Sequence, residues 1–213
     1  MEVPMLKKQI ILSIFILLFA INFQPAEADV LTFDFNDPKG VNSMNIFLDS
    51  TLEPITGFAS GITGSVSIDM QKRKGLSGKI TVESGQITLA NKTMTNVLHS
   101  DEWINVNKFP LIEFTFKKIV RINKQTDTFA DLIVSGDFML KGIIKEMEIP
   151  VTLTWFQDKL ASRNRTGNGD LLVLRATFKI DRTAFDIKPD MDFLLVSKDI
   201  EITAGIVGYA KKD

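Results

Sequence analysis

From Ala130 the chain alternates with a period of two. Leu132, Val134, Gly136, Phe138 and Leu140 fall on one side of an extended segment, and Asp131, Ser135 and Asp137 fall on the other. Successive side chains point to opposite faces only in a β-strand, so this segment reads as a strand with one dry face and one wet face. The pattern recurs at Met147, Ile149, Val151, Leu153 and Trp155, at Leu172, Leu174, Ala176, Phe178 and Ile180, and at Ile200, Ile202, Ala204 and Ile206. Shorter runs precede them: Leu31, Phe33, Phe35; Met44, Ile46, Leu48; Ile62, Gly64, Val66, Ile68, Met70; Ile80, Val82; and Ile112, Phe114, Phe116. About nine such segments, each wet on one side, call for an antiparallel sheet, because a parallel sheet is buried on both faces. So many strands leave two unpaired edges unless the sheet closes on itself, and the expected fold is all-β, an antiparallel barrel of about eight strands.

Turn residues punctuate the strands. Lys141-Gly142, Lys74-Gly75 and Asn168-Gly169 read as hairpin turns. Two places read as short helices. Asn91 can cap a segment in which Met94, Val97 and Leu98 share a face at helical spacing, and a second turn is expected between Ile187 and Leu194. No linker or composition shift divides the chain after residue 28, so residues 29–213 are read as one domain.

The first 28 residues have a different character. Lys7 and Lys8 precede an apolar run from Ile10 to Ile21 broken only by Ser13, and Ala26-Glu27-Ala28 supplies a small-x-small cleavage pattern. The run is shorter than the roughly 20 residues that span a bilayer core. The expectation is a cleaved signal peptide over residues 1–28, a periplasmic or secreted protein beginning at Asp29, and no stable membrane insertion after cleavage. The chain has no cysteine, which removes disulfides, thiolate metal sites and thiol catalysis together. A net charge of -1 gives no global electrostatic reason to bind nucleic acid.

Few residues offer catalytic or metal chemistry. His99-Ser100-Asp101 contains the letters of a hydrolase triad, but sequence neighbours cannot place a base between a nucleophile and an orienting carboxylate. Asp186, Asp190 and Asp192 form the densest carboxylate group and lack the glycine-containing loop of a calcium site. Neither an enzyme nor a cofactor or metal site is expected. Asn91-Lys92-Thr93 and Asn164-Arg165-Thr166 match the glycosylation acceptor pattern, which arises often by chance. On periodicity alone the interior is a packed core or a cavity with room for one small ligand. A transmembrane barrel is disfavoured, since one Tyr and two Trp cannot form its interfacial girdles.

Four segments carry a family resemblance. Leu98-His99-Ser100-Asp101-Glu102-Trp103 and Phe109-Pro110-Leu111-Ile112-Glu113-Phe114, followed by Gly136 to Gly142 with Ile143 to Met147, and by Ala176 to Ile187, resemble in that order the signatures of the YceI-like family of exported bacterial lipid-binding proteins. Two differences stand out: Asn42-Ser43 occupies the place of a His-Ser, and Ala184-Phe185-Asp186-Ile187 that of an Asp-Phe-Gly-Ile. The resemblance implies a lipocalin-like barrel with an apolar tunnel for a long isoprenoid or similar amphiphile, and no catalysis. The candidate ligand-contacting residues are then Phe114, Phe116, Phe138, Leu140, Met147, Leu153, Phe178, Ile180 and Phe185, with Arg182 beside Asp181 as a head-group partner. The Asp181-Arg182 pair also reads as a solvated strand end. The implied partner is a hydrophobic or lipid ligand, and a homodimer is left open. The competing reading is a non-catalytic envelope-stress or interaction domain with a solid core and no ligand.

Overall fold

The computed structural model describes residues 30–37, 39–52, 54–164 and 167–212. The segment read as an export signal therefore lies outside the described residues, as do two members of the Asn164 triplet. The elements are β1 (Val30–Asp34), β2 (Ser43–Ser50), β3 (Ile55–Ala59), β4 (Ile62–Asp69), β5 (Lys74–Glu83), β6 (Ile87–Leu89), α1 (Lys92–His99), β7 (Leu111–Gln125), β8 (Phe129–Leu140), β9 (Ile143–Phe156), α2 (Leu160–Asn164), β10 (Asn168–Asp181) and β11 (Val196–Lys212).

Eight strands close an antiparallel barrel in the order β1-β4-β5-β7-β8-β9-β10-β11, with β11 returning to β1. Strands β2, β3 and β6 form a flange on β11. The 17-residue β11 serves both neighbours: Val196 to Gly205 pair with β2, and Tyr209 pairs with Asp34 of β1. With one registered pair, the β1–β11 seam depends on side chains. Asn42, 4% exposed, donates its amide to the Phe35 and Val207 carbonyls (3.1 Å each) and accepts from the Val207 N–H (2.9 Å). The Tyr209 hydroxyl donates to Asp34 (3.0 Å). Buried polar groups must find such partners, so the seam is held by satisfied polar contacts where the ladder is absent.

The alternating runs occupy strands with their apolar sides inward. Lys141 and Gly142 both have positive φ (52° and 75°), the conformation of a two-residue type I′ hairpin between β8 and β9. The other two expected turns are displaced. Lys74-Gly75 opens β5, and Asn168-Gly169 opens β10 after a connection that contains α2. Asn91 caps α1 by accepting the Met94 N–H (2.8 Å). No helix forms between Ile187 and Leu194. The segment instead forms two tight turns, closed by the Met191 N–H on the Lys188 carbonyl (3.2 Å) and by the Leu195 and Val196 N–H groups on the Asp192 carbonyl (3.0 and 3.1 Å), with the Arg182 guanidinium on the Ile187 and Lys188 carbonyls as well; a turn of 3₁₀ helix lies earlier, at Arg182–Phe185. Ser135 is also covered, although it faces outward: it is 1% exposed and donates to Glu146 (3.0 Å).

The interior has two different halves. Toward the end formed by Phe35, Met70, Ala130 and Trp155, side chains from facing strands fill the barrel, and Phe33, Phe35, Val66, Ile68, Val134 and Leu172 are at most 1% exposed. Toward the other end the strands diverge around a cavity.

Candidate functional site: an apolar cavity closed at one end

The cavity has a volume of about 310 Å³. Strands β5, β7, β8, β9, β10 and β11 supply most of its wall, and the flange and α1 cover the side where β1 and β4 do not reach. Thr93 and Glu113 are the polar residues of the lining, and the Glu113 carboxylate is engaged by Lys79 (2.6 Å). Such a lining offers no ordered water two or three hydrogen bonds, so the space favours an apolar chain.

Six of the expected contact residues line this cavity: Phe114, Phe116, Phe138, Leu140, Phe178 and Ile180. Phe138 packs edge-to-face on Phe178 (6.2 Å between centroids), and Phe114 on Phe116 (4.9 Å). The other four lie elsewhere. Leu153, 2% exposed, belongs to the filled core. Met147 packs against the core without reaching the cavity. Phe185 is buried behind Phe138 (5.6 Å) and backs the wall. The expected tunnel is a blind chamber, because the filled half stops it.

Arg182 is not a head-group partner at the mouth. It is fully buried and donates to the backbone carbonyls of Ser197 (2.9 Å), Ile187 (2.8 Å), Val196 (3.2 Å) and Lys188. Four carbonyls engage the guanidinium and pin the β10–β11 connection, and Arg182 does not reach the cavity lining. Asp181 turns to Thr183 and Lys198, and the Thr183 hydroxyl, with the Thr183 N–H and Lys198 behind it, holds its carboxyl below the usual range. His99, Ser100 and Asp101 form no relay: His99 Nε2 meets the Ile87 carbonyl (2.8 Å), and the Ser100 hydroxyl donates to Val97 (2.7 Å). Among the described residues no three metal-ligating side chains cluster. No helix there is long and apolar enough to cross a membrane.

Sequence reasoning missed β3 and β6 of the flange and the fork between β9 and β10. Registered pairing between these strands runs from Leu171↔Phe156 to Ala176↔Val151 and stops, whereas β8–β9 and β10–β11 pair along most of their lengths. Pro150 stands where the ladder ends, and a proline has no N–H to continue it. Its position before Val151 was the available signal.

Two glycines explain why distant segments must co-occur. A Cβ on Gly136 would sit 2.5 Å from both Phe114 Cζ and the Thr115 carbonyl oxygen, and one on Gly142 would sit 2.8 Å from Phe109 Cε1. Each ring of the Phe109–Phe114 segment thus covers a glycine of the β8 region, and the first contact sets part of the cavity wall. Gly136→Ala is expected to cost about 1–3 kcal/mol, read as a lower urea midpoint with unchanged slope, because the carbonyl cannot retreat as a side chain can.

Comparison with known proteins places this arrangement. The sequence profile of the YceI-like domain matches residues 33–207. The chain belongs to the YceI-like family. No curated protein sequence is significantly similar to it. Among solved structures, BcnA of Burkholderia cenocepacia superposes with a TM-score of 0.63 at 18% identity, covering 78% of this chain and 95% of that one. The YCEI protein of Campylobacter jejuni gives 0.59 at 16% identity over 73% and 85%. A domain from Saccharophagus degradans described as polyisoprenoid-binding and implicated in plant cell wall breakdown gives 0.59 at 8% identity over 85% and 99%. At these identities the likeness is one of fold. Within this YceI-like chain, the motif segments other than Ile143 to Met147 converge on one place: Leu98 and Trp103, Ile112 and Phe114, Phe138 and Leu140, and Phe178 and Ile180 all line the chamber.

Proposed function

We propose that this protein is an exported carrier that holds the apolar chain of an isoprenoid or similar long-chain amphiphile in its chamber. The observation that carries the reading is an unfilled cavity of about 310 Å³ with an almost wholly apolar lining, in a barrel whose other half is packed solid. An apolar chain that fills this space gains dispersion contacts along the wall and about 0.8 kcal/mol per buried CH₂. The polyisoprenoid-binding Saccharophagus domain, of like fold, supports the choice of ligand class. Lys7-Lys8, the apolar run and Ala26-Glu27-Ala28 support export. The wall needs no catalytic group for this task.

The test is to recover the protein from the periplasmic or culture fraction of an expressing bacterium. Edman sequencing is expected to begin at or within a residue or two of Asp29. Organic extraction followed by mass spectrometry is expected to yield about one long-chain amphiphile per barrel. Protein that retains Met1 and stays with the membrane after a carbonate wash refutes export. Protein that yields no lipid and takes up none from detergent solution refutes the carrier.

A further inference from the structure

Beyond the chamber, two loops meet at one end of the barrel. Thr51 donates its N–H to the Leu195 carbonyl (3.1 Å) and its hydroxyl to the Leu194 carbonyl, and Ser50 pairs with Val196. Residues 50–52, at the end of β2, and the segment before β11 therefore form a single tip. That tip carries Leu52 (85% exposed), Phe193 (51%), Leu194 (80%) and Leu195 (52%). Scattered exposed leucines need no explanation, whereas four large apolar side chains on adjoining loops mark a surface that is covered in use.

The tip is continuous with the chamber. Ile55, Leu48 and Ile200 lie in one cross-strand row, Leu48 pairing with both neighbours, and all three line the cavity. Leu52 follows two residues after the end of β2, the strand that carries Leu48. Several charges on the same segments have partners within the protein. Asp192 accepts the Leu194 N–H (2.9 Å), Lys198 pairs with Asp181 (3.3 Å), Lys188 pairs with Glu102, and Asp186 pairs with Lys141 (3.6 Å). Asp190 remains exposed beside it. Among the described residues of these two segments no lysine or arginine is left without a partner to meet an anionic surface.

We propose that this tip docks the protein on a neutral lipid bilayer, with Leu52, Phe193 and Leu194 entering the interface by hydrophobic contact. The step rests on the reading of the chamber as a lipid site, since a water-insoluble ligand is taken from and returned to a bilayer. Exposed apolar side chains on adjoining loops suit an interface that closes around each of them, and the paired lysines and arginine predict attachment that does not depend on electrostatic attraction.

The test is flotation of the ligand-free protein, residues 29–213, with phosphatidylcholine vesicles. The wild-type chain is expected to float with the vesicles. Leu52→Ser/Leu194→Ser is expected to lose at least about tenfold in partitioning while melting at the same temperature, because both side chains stand in water in the free protein. Raising the salt or adding phosphatidylglycerol is expected to leave wild-type flotation unchanged. Equal partitioning of the two proteins, flotation only with the anionic lipid, or no flotation overturns the proposal. Self-association abolished by the double variant, with no vesicle binding, assigns the tip to a second copy instead. The two readings fail separately: flotation without extractable ligand sinks the carrier and leaves the docking tip, and ligand without flotation does the reverse.

Discussion

Val134→Asp is expected to unfold the barrel. Val134 is 1% exposed and lies in the filled half, between Ile119 of β7 and Ile149 of β9 in the sheet. Neither cross-strand neighbour can pair with a carboxylate, and the chamber that Ile149 lines offers an almost wholly apolar wall in place of a partner. A charge placed there without a partner costs several kcal/mol, or the group protonates at a similar penalty, against a total stability of about 5–15 kcal/mol for a domain. The measurement is circular dichroism with urea unfolding. The outward control is Thr177→Asp, on the exposed face of β10, where a change within about 0.5 kcal/mol is expected. Ser135, although outward by alternation, is a poor control: an aspartate there would replace the covered hydroxyl that donates to Glu146 and would set one carboxylate against another. Equal tolerance at Val134 and Thr177 would mean that the inward face of the sheet has been misassigned.

What the sequence made legible was what alternation controls. Strands β8, β9, β10 and β11 are long, and each repeats the same dry face four or five times, so their existence and facing could be read without tertiary information. β3 and β6 could not. Ile87–Leu89 has three residues, and Ile55–Ala59 puts Phe58 on the wet face and Gly57 on the dry one, so neither offers a pattern long enough to distinguish from loop. The second helix failed for another reason. Ile187 to Leu194 closes into tight turns with Arg182 on its first two carbonyls, and side-chain hydrogen bonds to backbone oxygens leave no periodic trace. The same event removed Arg182 from the candidate site: an arginine at a strand end looks solvated in a sequence, and only the folded loop shows it buried. The aromatic lining was partly legible because inward Phe residues are inward whether they meet a ligand or one another. Period two cannot tell Leu153, in solid core, from Phe178, on the chamber wall, since both obey the same alternation. The difference is set by how far apart opposite walls stand, and that depends on the β9–β10 fork and on the flange that carries Ile46 and Leu48.

The division between a solid and a hollow half gives the sharpest test of the chamber. Ala204 and Phe178 line it, while Ala130, fully buried, sits in the filled half. Ala204→Phe and Phe178→Trp add volume where there is unfilled space, so each is expected to fold with little change in urea midpoint. Ala130→Phe adds a ring where side chains already touch, and overpacking there costs about 1–3 kcal/mol or more. Ligand capacity should move the other way. A phenyl ring projecting from β11 into a space of about 310 Å³ takes up a large part of it, so Ala204→Phe is expected to reduce bound lipid at least about tenfold, the loss of roughly two buried CH₂ contacts being enough for that factor. The paired readout is extractable lipid against urea midpoint for the three variants. A packed barrel without a ligand requires all three to be destabilised alike and none to change the extract; a chamber requires the two properties to separate, with Ala204→Phe emptied but stable. Separation is the expected result, because the side chains around Ala204 leave space that none of the described residues fills.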